Sequence, residues 1–284
     1  MIRSRRLLVL IVILLLALVG FYYQLKKGIQ IETIQFTSGL NGRVLPYKVV
    51  LPPGYGLITS SRTHYPVIYL LHGWSGHFDS WLNNTGLAQY AAQHKFIIIT
   101  PEGNNGWYSD SATNPSEKYE SYIINELIPD VDGRFRTIRD RRGRGIAGNS
   151  MGGYGALKLG FKHPSTFAFA ASMSGAFDAP NRVDDKSIMD TFGAAGSLAR
   201  SDNDLEQIVL GLTPGKAPAL PFVYLDCGLD DPWLNVNDHF SDVLSQLKVR
   251  YAYRRVPGGH VWSYWDRQVQ DVLGHATEVL SGPE

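Results

Sequence analysis

The sequence predicts an α/β fold with a mostly parallel, doubly wound sheet, an N-terminal antiparallel hairpin and a small cap insertion. From Pro66 onward, apolar runs of strand length recur, which is typical of strands buried on both faces of a sheet. Segments with helical spacing of apolar residues alternate with these runs, as in a parallel sheet with crossover helices. The chain has 284 residues, of which 44% are hydrophobic and 19% charged, and this suits one domain with a sizeable core.

The elements are expected in the following order. Ile31 to Thr37 alternates apolar and polar residues, and Val44 to Leu51 follows after a turn, so the two predict the hairpin. Strands are predicted at residues 66–71, 96–100, 146–147, 167–173, 221–225 and 250–256, of which the first, second and fifth are expected to be buried. The third of these is expected to be short, because the charged run 139–144 precedes it. Helices are predicted at residues 80–93, 117–131, 154–162, 236–247 and 262–280.

Residues 178–218 interrupt this alternation. They are polar, with short helical pieces near Lys186 to Phe192 and Asp204 to Leu212. One interpretation is an insertion that lies over the functional site as a small cap. The other is a surface excursion without a role, and the two interpretations stay open at this point.

The first 30 residues differ from the domain that follows at 31–284. Arg3, Arg5 and Arg6 precede an uncharged apolar run from Leu7 to Tyr23, and two lysines follow it. The run lacks a small-x-small cleavage site, so it predicts a signal anchor with the N-terminus inside, that is, a single-pass membrane protein with an exported C-terminal domain. The alternative is a cleaved signal peptide and a secreted product.

Composition excludes several other classes of protein. The net charge is +1, so nothing points to a nucleic-acid partner. Cys227 is the only cysteine, which excludes a disulfide framework and a cysteine-rich metal site. No pair among the eight histidines has the spacing of a zinc-binding helix. We therefore expect no metal and no cofactor, and the sequence indicates no oligomeric state.

The clearest motif is Gly148-Asn149-Ser150-Met151-Gly152, which has the form G-x-S-x-G. A serine on a sharp turn between a strand and a helix stands clear of the backbone, with its Oγ exposed for nucleophilic attack. Such a turn leaves no room for a Cβ two residues before or after the serine, so both positions need glycine. In a chain with 29 glycines, the alternative is an ordinary turn with a capping serine.

The other strand ends provide partners for this serine. Asp230 and Asp231 follow the predicted strand at 221–225, and His260 follows the last strand on a glycine-bearing loop. In a parallel sheet the carboxyl ends of the strands meet at one edge, where ligands bind. The chain order serine, acid, histidine is a known arrangement for nucleophilic catalysis. The residues alone leave Asp230 and Asp231 as rival acids.

Four segments together resemble the esterase D family of α/β-hydrolases: Leu71-His72-Gly73, Gly148 to Gly153, Asp226 to Asp231 and Gly258 to Trp262. Tributyrin esterases, feruloyl esterases and S-formylglutathione hydrolases belong to it, and mycolyltransferases are relatives. The resemblance covers residues 40–280, without the apolar N-terminal run. It implies the α/β-hydrolase fold and an ester substrate.

The same resemblance implies roles for individual residues. The acid lies three residues after the glycine of C-G-x-x-D, which selects Asp231, so that the catalytic residues would be Ser150, Asp231 and His260. The backbone N–H groups of Trp74 and Met151 correspond to the oxyanion donors. Asn149 departs from the family, in which leucine or histidine is commoner at that position.

Tryptophans form a further pattern, independent of the resemblance. Of the six, Trp74, Trp107, Trp233 and Trp262 fall in or beside loops at predicted strand ends. We interpret Trp107, Tyr108, Trp233 and Trp262 as walls of a substrate cleft for a flat acyl group or a sugar. The alternative is that they are large core residues.

The sequence thus predicts an exported serine esterase that hydrolyses carboxylic esters through an acyl-enzyme. An acyltransferase would use the same three residues and pass the acyl group to a sugar or lipid alcohol. A non-catalytic binding module on the same fold is a third possibility, although such modules usually lose one of the three residues.

Overall fold

The computed structural model describes residues 11–21, 28–183, 185–211 and 220–282. Eight strands form one sheet in the order β1-β4-β6-β5-β7-β8-β9-β10, and β2 and β3 form a separate two-stranded ladder. The strands are β1 (Gln30–Ile34), β2 (Thr37–Ser38), β3 (Arg43–Val44), β4 (Tyr47–Leu51), β5 (Val67–Leu71), β6 (Ile97–Pro101), β7 (Arg144–Asn149), β8 (Phe169–Met173), β9 (Phe222–Gly228) and β10 (Tyr251–Val256). Neighbouring strands from β6 to β10 pair in parallel, whereas β1, β4 and β6 pair antiparallel. The predicted mostly parallel sheet is confirmed.

Helices cover both faces of this sheet. Helix α1 covers residues 11–21, and the others are α2 (Ser80–Asn84), α3 (Leu87–His94), α4 (Tyr119–Ser121), α5 (Ile128–Arg134), α6 (Met151–Lys162), α7 (Lys186–Phe192), α8 (Leu198–Ser201), α9 (Leu205–Leu210), α10 (Leu234–Gln246) and α11 (Trp262–Val279). Alternate residues of β5 enter two different apolar clusters, one shared with α6 and α10 and the other with α3 and α11. This alternation is the period-2 geometry of a strand buried on both faces.

The N-terminal hairpin differs in detail from the prediction. β1 and β4 pair antiparallel as expected, with Gln30 opposite Leu51. Val44, however, lies in β3, where it pairs with Thr37 outside the main sheet. The turn between the predicted strands is thus a small ladder of its own.

β7, the strand that leads into the G-x-S-x-G motif, is longer than predicted. It spans six residues, all buried, and begins at Arg144. The Arg144 guanidinium donates to Asp132 Oδ2 and to the Arg139 carbonyl, each at 2.8 Å. A charged residue can begin a buried strand here because its charge is paired with the Asp132 carboxylate.

Two predicted helices are interrupted in the structure. The helix expected at 80–93 is divided into α2 and α3, because Thr85 is extended and the Gly86 N–H donates to Asp266 of α11 instead of a helical carbonyl. The helix expected at 117–131 runs on to Arg134 and contains a π-helical turn at Tyr122–Leu127, joining α4 to α5.

The predicted insertion contains α7, α8 and α9, and residues 184 and 212–219 lie outside the described residues. Its described part packs on α6 and α10. The Tyr154 hydroxyl and the Lys158 ammonium of α6 donate to Asn203, at 2.7 and 3.1 Å. The buried Arg200 donates to carbonyls within the insertion, including those of Pro180 and Gly193.

The predicted membrane segment falls partly outside the described residues, which omit 1–10 and 22–27. Residues 11–21 are helical, and their apolar side chains are exposed. Among the helices that the structure describes, none is long and apolar enough to cross a membrane.

Candidate active site

Ser150 occupies a sharp turn between β7 and α6. Its φ and ψ are 53° and −119°, a strained conformation for a residue other than glycine. A Cβ at Gly148 would lie 2.5 Å from the Gly152 carbonyl carbon, and one at Gly152 would lie 2.4 Å from the Leu71 oxygen. The expectation that both positions need glycine is confirmed by these distances. Ser150 occupies the N-cap position of α6, but its side chain makes no capping hydrogen bond, so the alternative of a capping serine is wrong.

His260 connects this serine to a buried carboxylate. Ser150 Oγ lies 2.9 Å from His260 Nε2, and His260 Nδ1 lies 2.9 Å from Asp231 Oδ2. An ionised carboxylate only accepts hydrogen bonds, so the His260 proton belongs on Nδ1 and leaves Nε2 to accept from the serine hydroxyl. The three predicted residues therefore meet at the carboxyl edge of the sheet, in the loops after β7, β9 and β10.

Asp231, and not Asp230, faces His260. Asp231 is 5% exposed, whereas Asp230 lies on the surface. Burial alone would raise the pKa of Asp231, but hydrogen bonds from His260 and from the Trp233 N–H, the latter at 2.9 Å, hold that pKa below its ordinary value. The carboxylate beside His260 is therefore ionised near neutral pH.

The two predicted oxyanion donors belong to segments next to Ser150. Met151 is the first residue of α6, so its N–H has no partner within the helix. Trp74 follows Gly73, and a Cβ on Gly73 would lie 3.3 Å from Ser150 Cβ. Both backbone N–H groups thus belong to segments that pack directly around the serine.

His72 controls the orientation of the Trp74 N–H, a feature that the sequence motifs alone did not indicate. His72 Nδ1 donates to the Gly73 carbonyl at 2.8 Å, and the Gly76 N–H donates to the same oxygen at 3.0 Å. The Gly73–Trp74 peptide is trans, so its N–H points opposite to this oxygen. Holding the oxygen on one side therefore fixes the Trp74 N–H on the other.

A cavity of about 720 Å³ opens above Ser150. It is lined by Gly73, Trp74, Ser75, Gly76, Ser80, Asn84, Asn149, Ser150, His260, Val261, Trp262 and Trp265. Trp262, one of the predicted cleft residues, is among the lining residues, and so is Trp74. No residue of the described part of 178–218 is among the lining residues.

Trp265 is a cleft residue that the sequence interpretation missed. Its ring meets the His260 ring edge to face, with centroids 4.9 Å apart, and it also packs against Trp262. It lies one turn inside α11, and the sequence interpretation considered only tryptophans in loops. Its helical spacing of three residues from Trp262 was the available signal.

Three of the predicted cleft residues are not found in the cavity wall. Trp107 is 4% exposed and packs against Tyr154 and Phe192, and Tyr108 is fully buried with its hydroxyl donating to the His72 carbonyl. Both residues have positive φ, which turns the loop inward under α6. Trp233 is partly buried, packs against the core and lies under the Arg182 guanidinium. For Trp107 and Tyr108, the alternative of large core residues is the correct one.

Metal ligation has no candidate in the described parts of the chain. Among those residues, no group of three or more histidine, cysteine, aspartate or glutamate side chains is arranged to hold a metal ion. What the arrangement offers is a serine hydroxyl in contact with an imidazole, a carboxylate behind that imidazole and two backbone N–H groups near the serine.

Comparisons with known proteins place this chain among esterases. The family model described as "Putative esterase" matches residues 38–276. An acetyl esterase of Caldicellulosiruptor saccharolyticus is 27% identical, over 75% of this chain and 83% of the relative. An esterase of Mycobacterium tuberculosis is 31% identical over 82% of this chain, but the match covers only 54% of that longer protein. A diacylglycerol acyltransferase/mycolyltransferase of Mycobacterium leprae is 26% identical over 86% of this chain and 82% of the relative.

Two solved structures superpose on most of this chain. The fluorophosphonate-binding serine hydrolase F of Staphylococcus aureus, in a substrate-bound structure, superposes with a TM-score of 0.80 at 27% identity, covering 88% of this chain and 99% of that one. A ferulic acid esterase superposes with a TM-score of 0.78 at 27% identity, covering 89% and 100%. The chain therefore belongs to the "Putative esterase" family and is a serine carboxylic-ester hydrolase with the α/β-hydrolase fold.

Proposed function

We propose that the protein hydrolyses carboxylic esters through a catalytic triad of Ser150, His260 and Asp231, with a covalent acyl-enzyme intermediate. The observation that carries this proposal is the continuous chain of contacts from Ser150 Oγ to His260 and on to Asp231, both at 2.9 Å. A serine hydroxyl is a weak nucleophile at neutral pH, and an adjacent base oriented by a third group activates it.

In the first half-reaction, Ser150 Oγ attacks the ester carbonyl while its proton moves to His260 Nε2. Asp231 holds the imidazole through Nδ1 and stabilises the imidazolium that forms. Collapse of the tetrahedral intermediate breaks the bond to the alcohol, which takes the proton from His260 as it leaves. The product is an ester between Ser150 and the acyl group.

Charge develops on the former carbonyl oxygen during this attack. The N–H groups of Trp74 and Met151 would donate to it, and Met151 adds the positive end of the α6 dipole. Removing a single donor from such a site typically costs about 10²–10³ in kcat. These backbone groups need no reorganisation, because the His72 contact and the start of α6 fix them beforehand.

In the second half-reaction, water takes the place of the alcohol. His260 Nε2 removes a proton from the water as it attacks the acyl-enzyme, and returns that proton to Ser150 Oγ when the carboxylic acid departs. The cavity above Ser150 leaves room for both the leaving alcohol and the incoming water.

We propose that the substrate is an ester with a flat or small acyl group, or an ester whose alcohol is a sugar. Trp74, Trp262 and Trp265 provide aromatic surface beside Ser150 and His260, which suits stacking of a ring. Purified protein should be tested on aryl esters of increasing acyl length, with feruloyl and acetylated-sugar esters included. Absence of hydrolysis across the whole set would contradict the proposal.

Acyl transfer is the second candidate, because two relatives carry acyltransferase names. The same triad would pass the acyl group to an alcohol in place of water. Product analysis with and without an added sugar or glycerol acceptor separates the two: a hydrolase yields mainly free acid in both cases. A dominant acylated acceptor would assign the transferase reaction.

We also propose that the N-terminal run anchors the domain to the cell membrane on the exported side. The basic cluster before it and the exposed apolar side chains of residues 11–21 support this. The full chain should then sediment with membranes, and a protein beginning at Gln30 should remain in the supernatant. A mature N-terminus between Val19 and Gln24 would instead mean a cleaved signal peptide.

A further inference from the structure

The segment 103–108, which follows β6, contains three residues in an unusual backbone conformation. Asn104, Trp107 and Tyr108 have φ values of 43°, 53° and 50°, which are uncommon for residues other than glycine. Strained residues of this kind persist where the surrounding structure requires them, and they cluster at active sites. None of the three lines the cavity above Ser150, so contact with a substrate does not explain their conformation.

The Tyr108 hydroxyl holds the first peptide group after β5. It donates to the His72 carbonyl at 3.1 Å. His72 is fully buried and lies one residue beyond the end of β5, so its carbonyl needs a partner from outside that strand. The Tyr108 ring is itself fully buried against α6, where a Cβ on Gly155 would lie 2.6 Å from Tyr108 Cδ2. The hydroxyl therefore fixes the His72 carbonyl relative to α6.

The next two peptide groups of this loop are held as well. His72 Nδ1 donates to the Gly73 carbonyl, as described above, and thereby orients the Gly73–Trp74 peptide. Asn105 Oδ1 accepts from the Ser75 N–H at 2.7 Å and thereby orients the Trp74–Ser75 peptide. The Trp74 N–H belongs to the middle one of three held peptide groups. Because each group is planar, fixing all three leaves this N–H little freedom to turn.

The segment 103–108 also holds the His72 ring. The Gly103 N–H lies 3.0 Å from His72 Nε2, and the ring centroids of Tyr108 and His72 are 5.7 Å apart. All three peptide groups therefore depend on this segment, either directly or through His72.

A buried lysine of α6 joins the same segment to the helix that carries the other donor. The Lys158 ammonium donates to the Tyr108 carbonyl at 2.9 Å and to Ser109 Oγ at 2.6 Å. Met151 is the first residue of α6. The positions of the Trp74 and Met151 N–H groups are thus related to each other through the segment 103–108.

We propose that the segment 103–108 positions the Trp74 N–H for oxyanion stabilisation, with Tyr108 and Asn105 as positioning residues. This inference rests on the proposed ester hydrolysis at Ser150. Neither Tyr108 nor Asn105 lines the cavity, so the role lies in the chemical step and not in substrate binding.

Tyr108→Phe tests the buried contact, because it removes the hydroxyl and keeps the ring. We expect kcat for 4-nitrophenyl acetate to fall about tenfold with KM unchanged. This is less than the loss of a whole oxyanion donor, because the Trp74 N–H remains but is less well held. Tyr122→Phe is the matched control. Tyr122 is also fully buried, but within the described residues its hydroxyl has no hydrogen-bond partner, so kcat should stay unchanged.

Asn105 tests the same role at a site where folding is not at risk, because its side chain is exposed. Asn105→Ala removes the acceptor for the Ser75 N–H and should lower kcat about threefold, as expected for one neutral hydrogen bond. Asn105→Asp keeps an acceptor oxygen and should recover the wild-type rate. Equal rates in Asn105→Ala and wild type would overturn the role of Asn105.

A trifluoromethyl ketone provides a readout that does not depend on turnover. Ser150 Oγ adds to its carbonyl carbon, the serine proton moves to His260, and the carbonyl oxygen becomes an oxyanion that needs the same two donors. The inhibition constant should rise in Tyr108→Phe by the factor by which kcat falls, and should not change in Tyr122→Phe.

A folded Tyr108→Phe with wild-type kcat, or with reduced kcat and an unchanged inhibition constant, would overturn the positioning role. Failure of the proposed function would look different, because the wild-type protein itself would neither hydrolyse the ester nor bind the ketone.

Discussion

His72 Nδ1 lies 2.8 Å from the carbonyl oxygen of Gly73, the next residue along the chain, and this contact turns the following N–H toward the other side of the loop. The ring is fully buried, and the Gly103 N–H lies 3.0 Å from its other nitrogen. The loop that carries a proposed oxyanion donor is thus held by a side chain that cannot reach the substrate.

Replacing His72 therefore tests the oxyanion loop. His72→Leu should lower kcat by about 10–100-fold, somewhat less than the complete loss of one donor, because the Gly76 N–H still holds the Gly73 oxygen. His72→Asn places an amide nitrogen near the former Nδ1 and should recover most of the rate. Steady-state kinetics and melting curves on both variants provide the measurement. Equal losses in the two would show that packing, and not the hydrogen bond, is responsible.

The neighbouring residues Asp231 and Asp230 form a matched pair for testing which carboxylate orients His260. Asp231→Asn should lower kcat by about 10⁴, because the amide disfavours the tautomer in which His260 Nε2 is free to accept. Asp230→Asn should have little effect, since Asp230 is exposed and is not bonded to His260. The comparison needs only kcat on one aryl ester for the two variants. A reversed order of sensitivity would mean that the acid has been misassigned.

Substitutions of Trp262 and Trp107 distinguish a role in substrate recognition from a role in core packing. Trp262→Ala should raise KM for bulky aromatic esters about 2–10-fold more than for acetyl esters, because it removes stacking surface from the cavity wall. Trp107→Ala should instead lower the free energy of unfolding by about 3–5 kcal/mol, because the Trp107 ring is in the core. The ratio of KM values for the two kinds of ester should not change. KM values for the two substrates, with a denaturant unfolding curve, test both expectations. A changed ratio of KM values for the two esters in Trp107→Ala would contradict the assignment of Trp107 to the core.

Asp226 should make stability depend on pH. It is fully buried in β9 and accepts a hydrogen bond from the Tyr264 hydroxyl, and burial raises its pKa to about 8. Between about pH 4 and pH 8 the unfolded chain ionises this carboxyl and the folded protein does not, so stability falls as pH rises, by up to about 1.4 kcal/mol per pH unit. Below this range both states are protonated, and above it both are ionised, so the slope from this group disappears.

Asp226→Asn removes this dependence. Relative to wild type, the variant should gain up to about 4 kcal/mol in unfolding free energy between pH 5 and pH 8. Urea unfolding at the two pH values measures the gain, and the same substitution at an exposed site, Asp230→Asn, serves as the control. A constant difference between Asp226→Asn and wild type at both pH values would show that the folded protein ionises Asp226 at its ordinary pKa.

Much of the fold and site could be predicted because local sequence determined it. The alternation of apolar runs with helical segments predicted a parallel sheet, and Ser150, Asp231 and His260 each follow one of its strands, so the sheet brings them to one edge. The need for glycine at positions 148 and 152 could be predicted because the turn around Ser150 leaves no space for a side chain there.

The errors arose where long-range contacts or backbone angles decided the outcome. Arg144 could begin a buried strand only because Asp132, twelve residues earlier, pairs with it. Trp107 and Tyr108 have positive φ and their rings lie in the core, and neither tryptophan nor tyrosine signals such an angle in a sequence. Trp265 was missed because a helical residue can reach a cleft when its helix begins at the loop that carries His260.

The central claim, that Ser150 is the nucleophile, is tested most directly by covalent labelling. A fluorophosphonate should react at one site, and mass spectrometry of the digested protein should find the label on the peptide that contains Ser150. Ser150→Ala should take up no label and hydrolyse no ester, while its melting curve matches that of the wild type. A label on another residue, or near-normal ester turnover in a folded Ser150→Ala variant, would contradict the account.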